Sequence, residues 1–183
     1  MGQVDLGRYS NNNYVPGGFA KRILWYIFSR VFFKTFFPFP SGLKLFLLNL
    51  FGARIGKSVI IKVNVNIKYP WFLEIGNNTW IGEGSWIDNL VKVKIGNNVC
   101  ISQGVCIFTG NHNYKKETFD LIVSQVIIED GSWLGAKSII CPGVNVKSHC
   151  VITVGSVLTN DTEAYKIYQG NPAKIIRDRV IEK

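Results

Sequence analysis

Residues 75–90 read IGNNTWIGEGSWIDNL, and the chain says nearly the same thing on either side of them. RIGKSVIIKVNVNI (54–67) precedes the phrase and KIGNNVCISQGVCIF (94–108) follows it. The pairs Ile55-Gly56, Ile75-Gly76 and Ile95-Gly96 recur every twenty residues, and inside each block an aliphatic residue recurs every six: Ile55, Ile61, Ile67, then Ile75, Ile81, Ile87, then Ile95, Ile101, Ile107. The series resumes later at Ile128, Leu134, Ile140, Val146, Ile152 and Leu158. In most repeats a small or β-branched residue (Val59, Thr79, Ser85, Val99, Ser138, Ser156) follows four places on. A step of six fits neither the 3.6-residue helix nor the simple alternation of a strand. It fits a short strand plus a turn. Three such units close a triangular coil, stacked coils pair their backbones, and the aliphatic residues fill the axis. Gly76-Asn77-Asn78 and Gly96-Asn97-Asn98 supply the dihedrals that corners need.

The rhythm breaks at FTGNHNYKKETFD (108–120), a polar insert that carries His112, one of two histidines in the chain. Asn113, Lys115, Lys116, Glu117 and Asp120 have no place inside a coil, and excursions from a rigid scaffold tend to carry function. His149 lies between Ser148 and Cys150 at an ordinary repeat position, which predicts a corner or the surface.

The first third of the chain has another character. Residues 1–54 hold seven Lys and Arg against Asp5 alone, a net +6, whereas the rest holds fourteen basic and eleven acidic residues, a net +3. RILWYIFSRVFFKTFFPFP (22–40) and LKLFLLNLFG (43–52) are apolar and aromatic. Arg30, Lys34, Pro38 and Pro40 break this run well short of the roughly 20 residues a membrane span needs, and no small-residue cleavage site follows it. The reading is a basic, apolar, helical cap, 1–54, ahead of a coil domain, 55–183, whose tail runs from 160 to 183. Residues 20–52 suit either an anionic membrane surface or a cap over one end of the coils, and the two are compatible.

Some signals carry nothing. Cys100, Cys106, Cys141 and Cys150 form no CxxC pair and read as reduced core thiols. GARIGKS (52–58) has three spacers between its glycines where a phosphate-binding loop needs four. Two histidines do not make a three-imidazole metal site, so no metal is expected. The Asn-x-Thr triplets at 77 and 160 read as chance.

Together these stretches, with KRILWYIF (21–28), IGNNVCISQGVCIFTGNH (95–112), PGV (142–144), GSV (155–157) and GNPAKIIRDR (170–179), resemble the hexapeptide-repeat acyltransferases. Within that group the chain looks most like the colanic acid biosynthesis acetyltransferases, which are similar to maltose, galactoside and nodulation-factor O-acetyltransferases. The resemblance implies a mainly β, left-handed parallel β-helix with a looping-out insert near 112–125. It also implies a homotrimer with sites at subunit boundaries and acetyl-coenzyme A as donor. It aligns His112 with the family's catalytic base, a sensible role: an alcohol is a poor nucleophile, and a neutral imidazole with pKa near about 6.5 can take its proton. The donor would contact Gly135, Ala136, Val154, Gly155 and Thr159, with Lys174 and Arg177 at its phosphates. Two positions depart from the family: Val154 stands where relatives carry Ala or Gly, and Asn160 where they carry Lys.

For the acceptor, Asp88 and Asn89 lie at a corner one coil before His112, and Trp86 could offer a face to a sugar. A corner turn explains the Asp-Asn pair equally well. The expected reaction is acetyl transfer to a sugar hydroxyl of an exopolysaccharide or other surface-glycan precursor, free or lipid-linked, in the cytoplasm or at the inner face of the membrane; nucleic acid is not an expected partner. Two other functions stay open at this stage: acetylation of a sugar-nucleotide amine or small xenobiotic on the same scaffold, and a β-helix that binds a partner without catalysis.

Overall fold

The computed structural model describes residues 2–11 and 14–182. The step of six becomes a parallel β-helix of five coils with three flat faces. The first face stacks Arg54–Ile55, Leu73–Ile75, Val93–Ile95, Val126–Ile128 and Asn145–Val146; the third stacks Asn66–Ile67, Trp86–Asp88, Cys106–Phe108, Ile139–Ile140 and Val157–Leu158. The second face holds Ile60–Ile61, Trp80–Ile81, Cys100–Ile101, Trp133–Leu134 and Val151–Ile152. It gains Lys166–Gly170 in parallel and Ala173–Asp178 returning antiparallel, so the tail closes the far end.

The register is set by the aliphatic series itself. Ile61, Ile81, Ile101, Leu134 and Ile152 stand in one column, and Ile67, Ile87, Ile107, Ile140 and Leu158 in another. Apart from Ile55, which is half-buried in the first coil, every member of the series is buried. A fully buried Ile of this kind stabilises the fold by about 1.5–3 kcal/mol. The small residue four places on is also buried, because it points inward at a tight corner. There the hydroxyl of Thr79 donates to Gly96 O (2.9 Å) and that of Ser85 to Ser102 O (3.2 Å). Asn77 and Asn97 ladder the corner between the first and second faces. Each accepts a backbone N–H of the coil before it at 2.8 Å, and Asp130 does the same for Asn97 at 2.7 Å.

The open first coil needs a lid, since its outward carbonyls have no strand to meet. Helix α2 (Ser41–Leu50) supplies it with Leu47 and Leu48 against the core. Lys44, only 1% exposed, donates its ammonium to Ile61 O (3.2 Å) and Lys62 O (2.7 Å), and burial pushes its pKa down. Helix α1 (Phe19–Phe32) lies beside the first coil, where Trp25 Nε1 donates to Ile67 O at 2.9 Å. The apolar N-terminal segment thus caps the coils. It also leaves Phe19, Leu24, Ile27 and Val31 of α1 and Phe36, Phe37, Phe46 and Leu50 around α2 exposed.

The insert is a hairpin at the corner between the third and first faces. Gly110–His112 pairs antiparallel with Leu121–Val123, and Ser124 N donates to Thr109 O (2.9 Å) where the chain rejoins the coil. The N-terminal stretch crosses its tip: Asp5 N donates to Glu117 O (2.9 Å) and Arg8 pairs with the Glu117 carboxylate at 2.7 Å.

Candidate active site

His112 ends the first strand of the hairpin, half-buried, with its backbone N–H held by Asn111 Oδ1 at 2.8 Å. Phe119, across the hairpin, does two things for it. Its ring stacks on the imidazole, centroids 4.5 Å apart and planes within 8°. Its carbonyl lies 3.0 Å from Nδ1. A carbonyl oxygen can only accept, so Nδ1 carries the hydrogen and the neutral ring keeps its lone pair on Nε2. Phe119 adopts φ +51°, an uncommon region for a bulky residue; that backbone turn aims its carbonyl back at the ring. His112 is therefore fixed in plane, in tilt and in tautomer.

The imidazole faces a cleft of about 410 Å³ at the third-to-first corner. Asp88 lines it, one coil above, paired with Lys68 Nζ at 2.9 Å. Tyr14 enters from the N-terminal stretch, its hydroxyl donating to Leu90 O at 2.8 Å. Burial, with Tyr69 and Asp88 nearby, pushes the Tyr14 phenol up, and Arg22 pulls the other way. Tyr9 lies tilted against the His112 ring, 5.9 Å between centroids. Asn89 does not reach the cleft. It is fully buried, accepting from Lys68 N (3.2 Å) and Tyr69 N (3.1 Å) and donating to Tyr69 O (2.6 Å), so its amide braces the corner. Trp86 is exposed on the third face, edge-on to Phe108 at 5.4 Å, and does not line the cleft.

The residues implied for the donor sit elsewhere. Gly135, Ala136, Val154 and Gly155 form stacked turns at the corner between the second and third faces, with Gly155 N donating to Ala136 O at 2.9 Å. A Cβ on Gly135 would come within 2.7 Å of Ile152 O and Val154 N, so stacking of the coils alone requires glycine there. Gly155 takes φ +67° with nothing near its missing side chain, and Val154 is 70% exposed. Thr159 is exposed just beyond Val157–Leu158, hydrogen-bonded to Asn160 Nδ2 at 3.2 Å. Lys174 and Arg177 are exposed on the returning tail strand. Within one chain His112 and the glycine turns occupy different corners of the prism.

Comparison with known proteins bears on the whole chain. It is 32% identical over 177 residues to the Escherichia coli (strain K12) protein bearing the name colanic acid biosynthesis acetyltransferase WcaF, covering 96% of this chain and 97% of that one. The chain belongs to the hexapeptide-repeat acetyltransferases. The Escherichia coli galactoside O-acetyltransferase matches at 27% identity over 129 residues, 69% of this chain and 64% of that one. Among solved structures, a maltose O-acetyltransferase of Clostridium difficile 630 superposes with TM-score 0.80 at 27% identity over 88% of each chain. The Vibrio cholerae acetyltransferase VCA0836, solved with acetyl coenzyme A, superposes at 0.79 with 20% identity over 88% of each chain. These neighbours share the left-handed β-helix. No family model matches the sequence.

For a hexapeptide-repeat acetyltransferase, this chain builds much of its cleft from residues that the repeat alone does not flag. Lys68 and Tyr69 were within reach of the pattern, since they precede Asp88 and Asn89 by one twenty-residue step. Tyr9, Tyr14 and Arg22 had no such signal, because only the fold carries the N-terminal stretch across to the insert. Burial raises the pKa of the Cys100, Cys106 and Cys141 thiols, which keeps them protonated. Among the described residues no three His, Cys, Asp or Glu side chains gather to hold a metal.

Proposed function

We propose that the protein transfers acetyl from acetyl-coenzyme A to a sugar hydroxyl of an exopolysaccharide or other cell-surface glycan precursor, with His112 as general base. The observation that carries this reading is the bond between His112 Nδ1 and Phe119 O, which leaves Nε2 as the proton acceptor of a ring that lines a polar cleft. An acceptor hydroxyl placed there loses its proton to Nε2 as its oxygen attacks the thioester carbonyl. The proton then leaves with the departing thiolate, and the ring returns to its neutral form. Asp88 offers the sugar a carboxylate for neighbouring hydroxyls, steadied by Lys68. Structures of relatives hold the donor, as acetyl coenzyme A in VCA0836 and coenzyme A in a galactoside acetyltransferase, and the acceptor class follows the name of the WcaF relative.

The separation of His112 from the glycine turns within one chain supports a homotrimer in which one copy brings the base and its neighbour the donor corner. The outer surface of α1 and α2 supports a peripheral seat on the inner face of a membrane: Leu24, Ile27, Val31, Phe36 and Phe37 are exposed, with Lys21, Arg30 and Lys34 among them. No described helix is long and apolar enough to cross a membrane.

The test is thiol release from acetyl-CoA against a panel of glycosides, amino-sugar nucleotides and small xenobiotic alcohols. Release that depends on a glycoside hydroxyl is expected; release only with an amine acceptor would replace this reading. Sedimentation with vesicles containing phosphatidylglycerol should carry the protein down, less so after Phe36→Ser and Phe37→Ser.

A further inference from the structure

Two clefts meet at α1, and what they share is positive charge. The His112 cleft ends at Arg22, Lys68 and Tyr69, and the same three side chains open a second trough of about 350 Å³ beneath the helix. The two halves differ in chemistry. On the His112 side the walls are polar, with Asp88, Asn111 and Tyr14. Beyond Arg22 the trough is floored by Trp25 and Ile67 and walled by Phe19, Ile23 and Tyr26, until Arg30 and Lys34 close its far end. No Asp or Glu lines this second part.

Arg22 stands at the junction in an unusual state. Its Nε is buried and has no hydrogen-bond partner among the described residues, while its guanidinium carbon lies 5.9 Å from the centroid of the Phe19 ring, a cation–π contact that supplies no acceptor. A buried N–H without an acceptor is unfavourable, and the half-buried guanidinium that carries it is placed to meet an anion at the junction of the two clefts. Lys68 lines the same junction, its ammonium 2.9 Å from Asp88 Oδ1 in an ion pair. A planar fork and a point charge side by side suit the oxygens of a phosphate.

We propose that Arg22 and Lys68 seat the phosphate or diphosphate of an acceptor whose sugar lies in the His112 cleft and whose aliphatic chain runs along the trough under α1. Polar pocket, cationic seat and apolar trough follow one another in the order of a glycosyl diphosphate lipid. The assignment rests on His112 marking the acceptor side of the site.

Farnesyl diphosphate is the probe, titrated calorimetrically into the full chain below its aggregation concentration, beside farnesol, inorganic pyrophosphate and uridine diphosphate. Farnesyl diphosphate should bind the tightest of the four. Arg22→Met and Lys68→Met should each weaken it by roughly 10–100-fold, the range expected for losing a bond to a charged group. Ile23→Asp, at a wall residue already 44% exposed, should weaken farnesyl diphosphate and leave pyrophosphate alone. Thermal stabilisation by acetyl-CoA, read on every variant, shows that each still folds. Equal affinity of Arg22→Met and wild type would overturn the seat, and so would absence of farnesyl diphosphate binding to the wild-type protein because a second copy covers the trough. Uridine diphosphate binding as tightly, indifferent to Ile23→Asp, would make the occupant a nucleotide and overturn the aliphatic chain. Because the readout is binding, Arg22-dependent affinity in a protein that transfers no acetyl would overturn the catalytic reading and leave the seat standing; efficient acetyl transfer with no Arg22 dependence of binding would do the reverse.

Discussion

The two histidines are set almost alike and differ in what surrounds them. His112 stacks on Phe119 at 4.5 Å and 8°; His149 stacks on Tyr165 at 4.6 Å and 4°. Both are half-buried, and each depends on a residue at positive φ: Phe119 for the first, and His149 itself, with Tyr165, for the second. The difference lies in the rest of the ring. His112 has Nδ1 on a carbonyl and lines an open cleft. His149 has a buried Nδ1 with no hydrogen-bond partner among the described residues, and its ring covers Gly131 so closely that a Cβ there would come within 2.5 Å of it. Its backbone is tied on both sides, N–H to Asp130 O at 2.8 Å and carbonyl to Arg179 Nη1 at 3.1 Å. Stacking on an aromatic ring is thus no mark of catalysis. What sets His112 apart under the proposed function is its fixed tautomer on the wall of a cleft.

The comparison breaks most sharply under alanine. His112→Ala should lower turnover by roughly 10²–10⁴, the usual contribution of a general base, while the midpoint of thermal unfolding stays near that of the wild type. His149→Ala should do the opposite, leaving turnover within about twofold and costing about 0.5–1.5 kcal/mol of stability through the lost ring pair. Thiol-release kinetics and thermal melts on the two variants decide it. A His149 variant as inactive as the His112 variant would dissolve the distinction.

Beneath both corners runs the same core. Ile107 lies just before the insert and Ile152 just after His149, each fully buried in its column. Replacing either with Ala should cost about 2–5 kcal/mol, with similar losses at the two sites in chemical denaturation. Similar losses would sharpen the contrast, because the histidines would then differ in chemistry above equal foundations. A markedly cheaper Ile107→Ala would mean that the hairpin loosens the coil beneath it.

That core is the part of the molecule most legible in the sequence. Each aliphatic residue in the step of six reports directly on burial, because a coil that repeats its geometry must repeat its side chains. Val59, Thr79 and Ser138 report on the corners for the same reason. The site was legible only as a break in the pattern. His112 and Asp88 could be named, since one interrupts the repeat and the other precedes it by a coil. Asn89 looked equally suited to a sugar, and nothing in sequence tells an amide that faces a cleft from one that braces a corner. Tyr9, Tyr14 and Arg22 were hidden for a different reason. Their place depends on where α1 docks and how the first residues cross the insert, and neither leaves a period to read.

The smallest effect belongs to the carboxylate beside His149. Asp130 accepts Asn97 N at 2.7 Å and Asn97 Nδ2 at 3.1 Å, and these bonds, the backbone one first, hold its carboxyl below the usual range, with His149 and Lys94 adding to the shift. A carboxyl whose folded pKa is depressed binds fewer protons folded than unfolded, so its contribution is complete above the unfolded pKa near about 3.9 and fades as pH falls through the lower folded value. Asp130 is exposed, and salt screens part of the effect. Asp130→Asn should therefore melt below the wild type at neutral pH, by a small margin that narrows once the pH drops under the ordinary carboxylate range. Denaturation midpoints across that window measure the margin directly. The hairpin corner offers the control: Asp120, paired with Lys116 at 3.0 Å and also held low, braces an insert rather than a coil. Asp120→Asn should leave the global melt unchanged at every pH, and a global loss equal to that of Asp130→Asn would mean that the insert unfolds together with the coils.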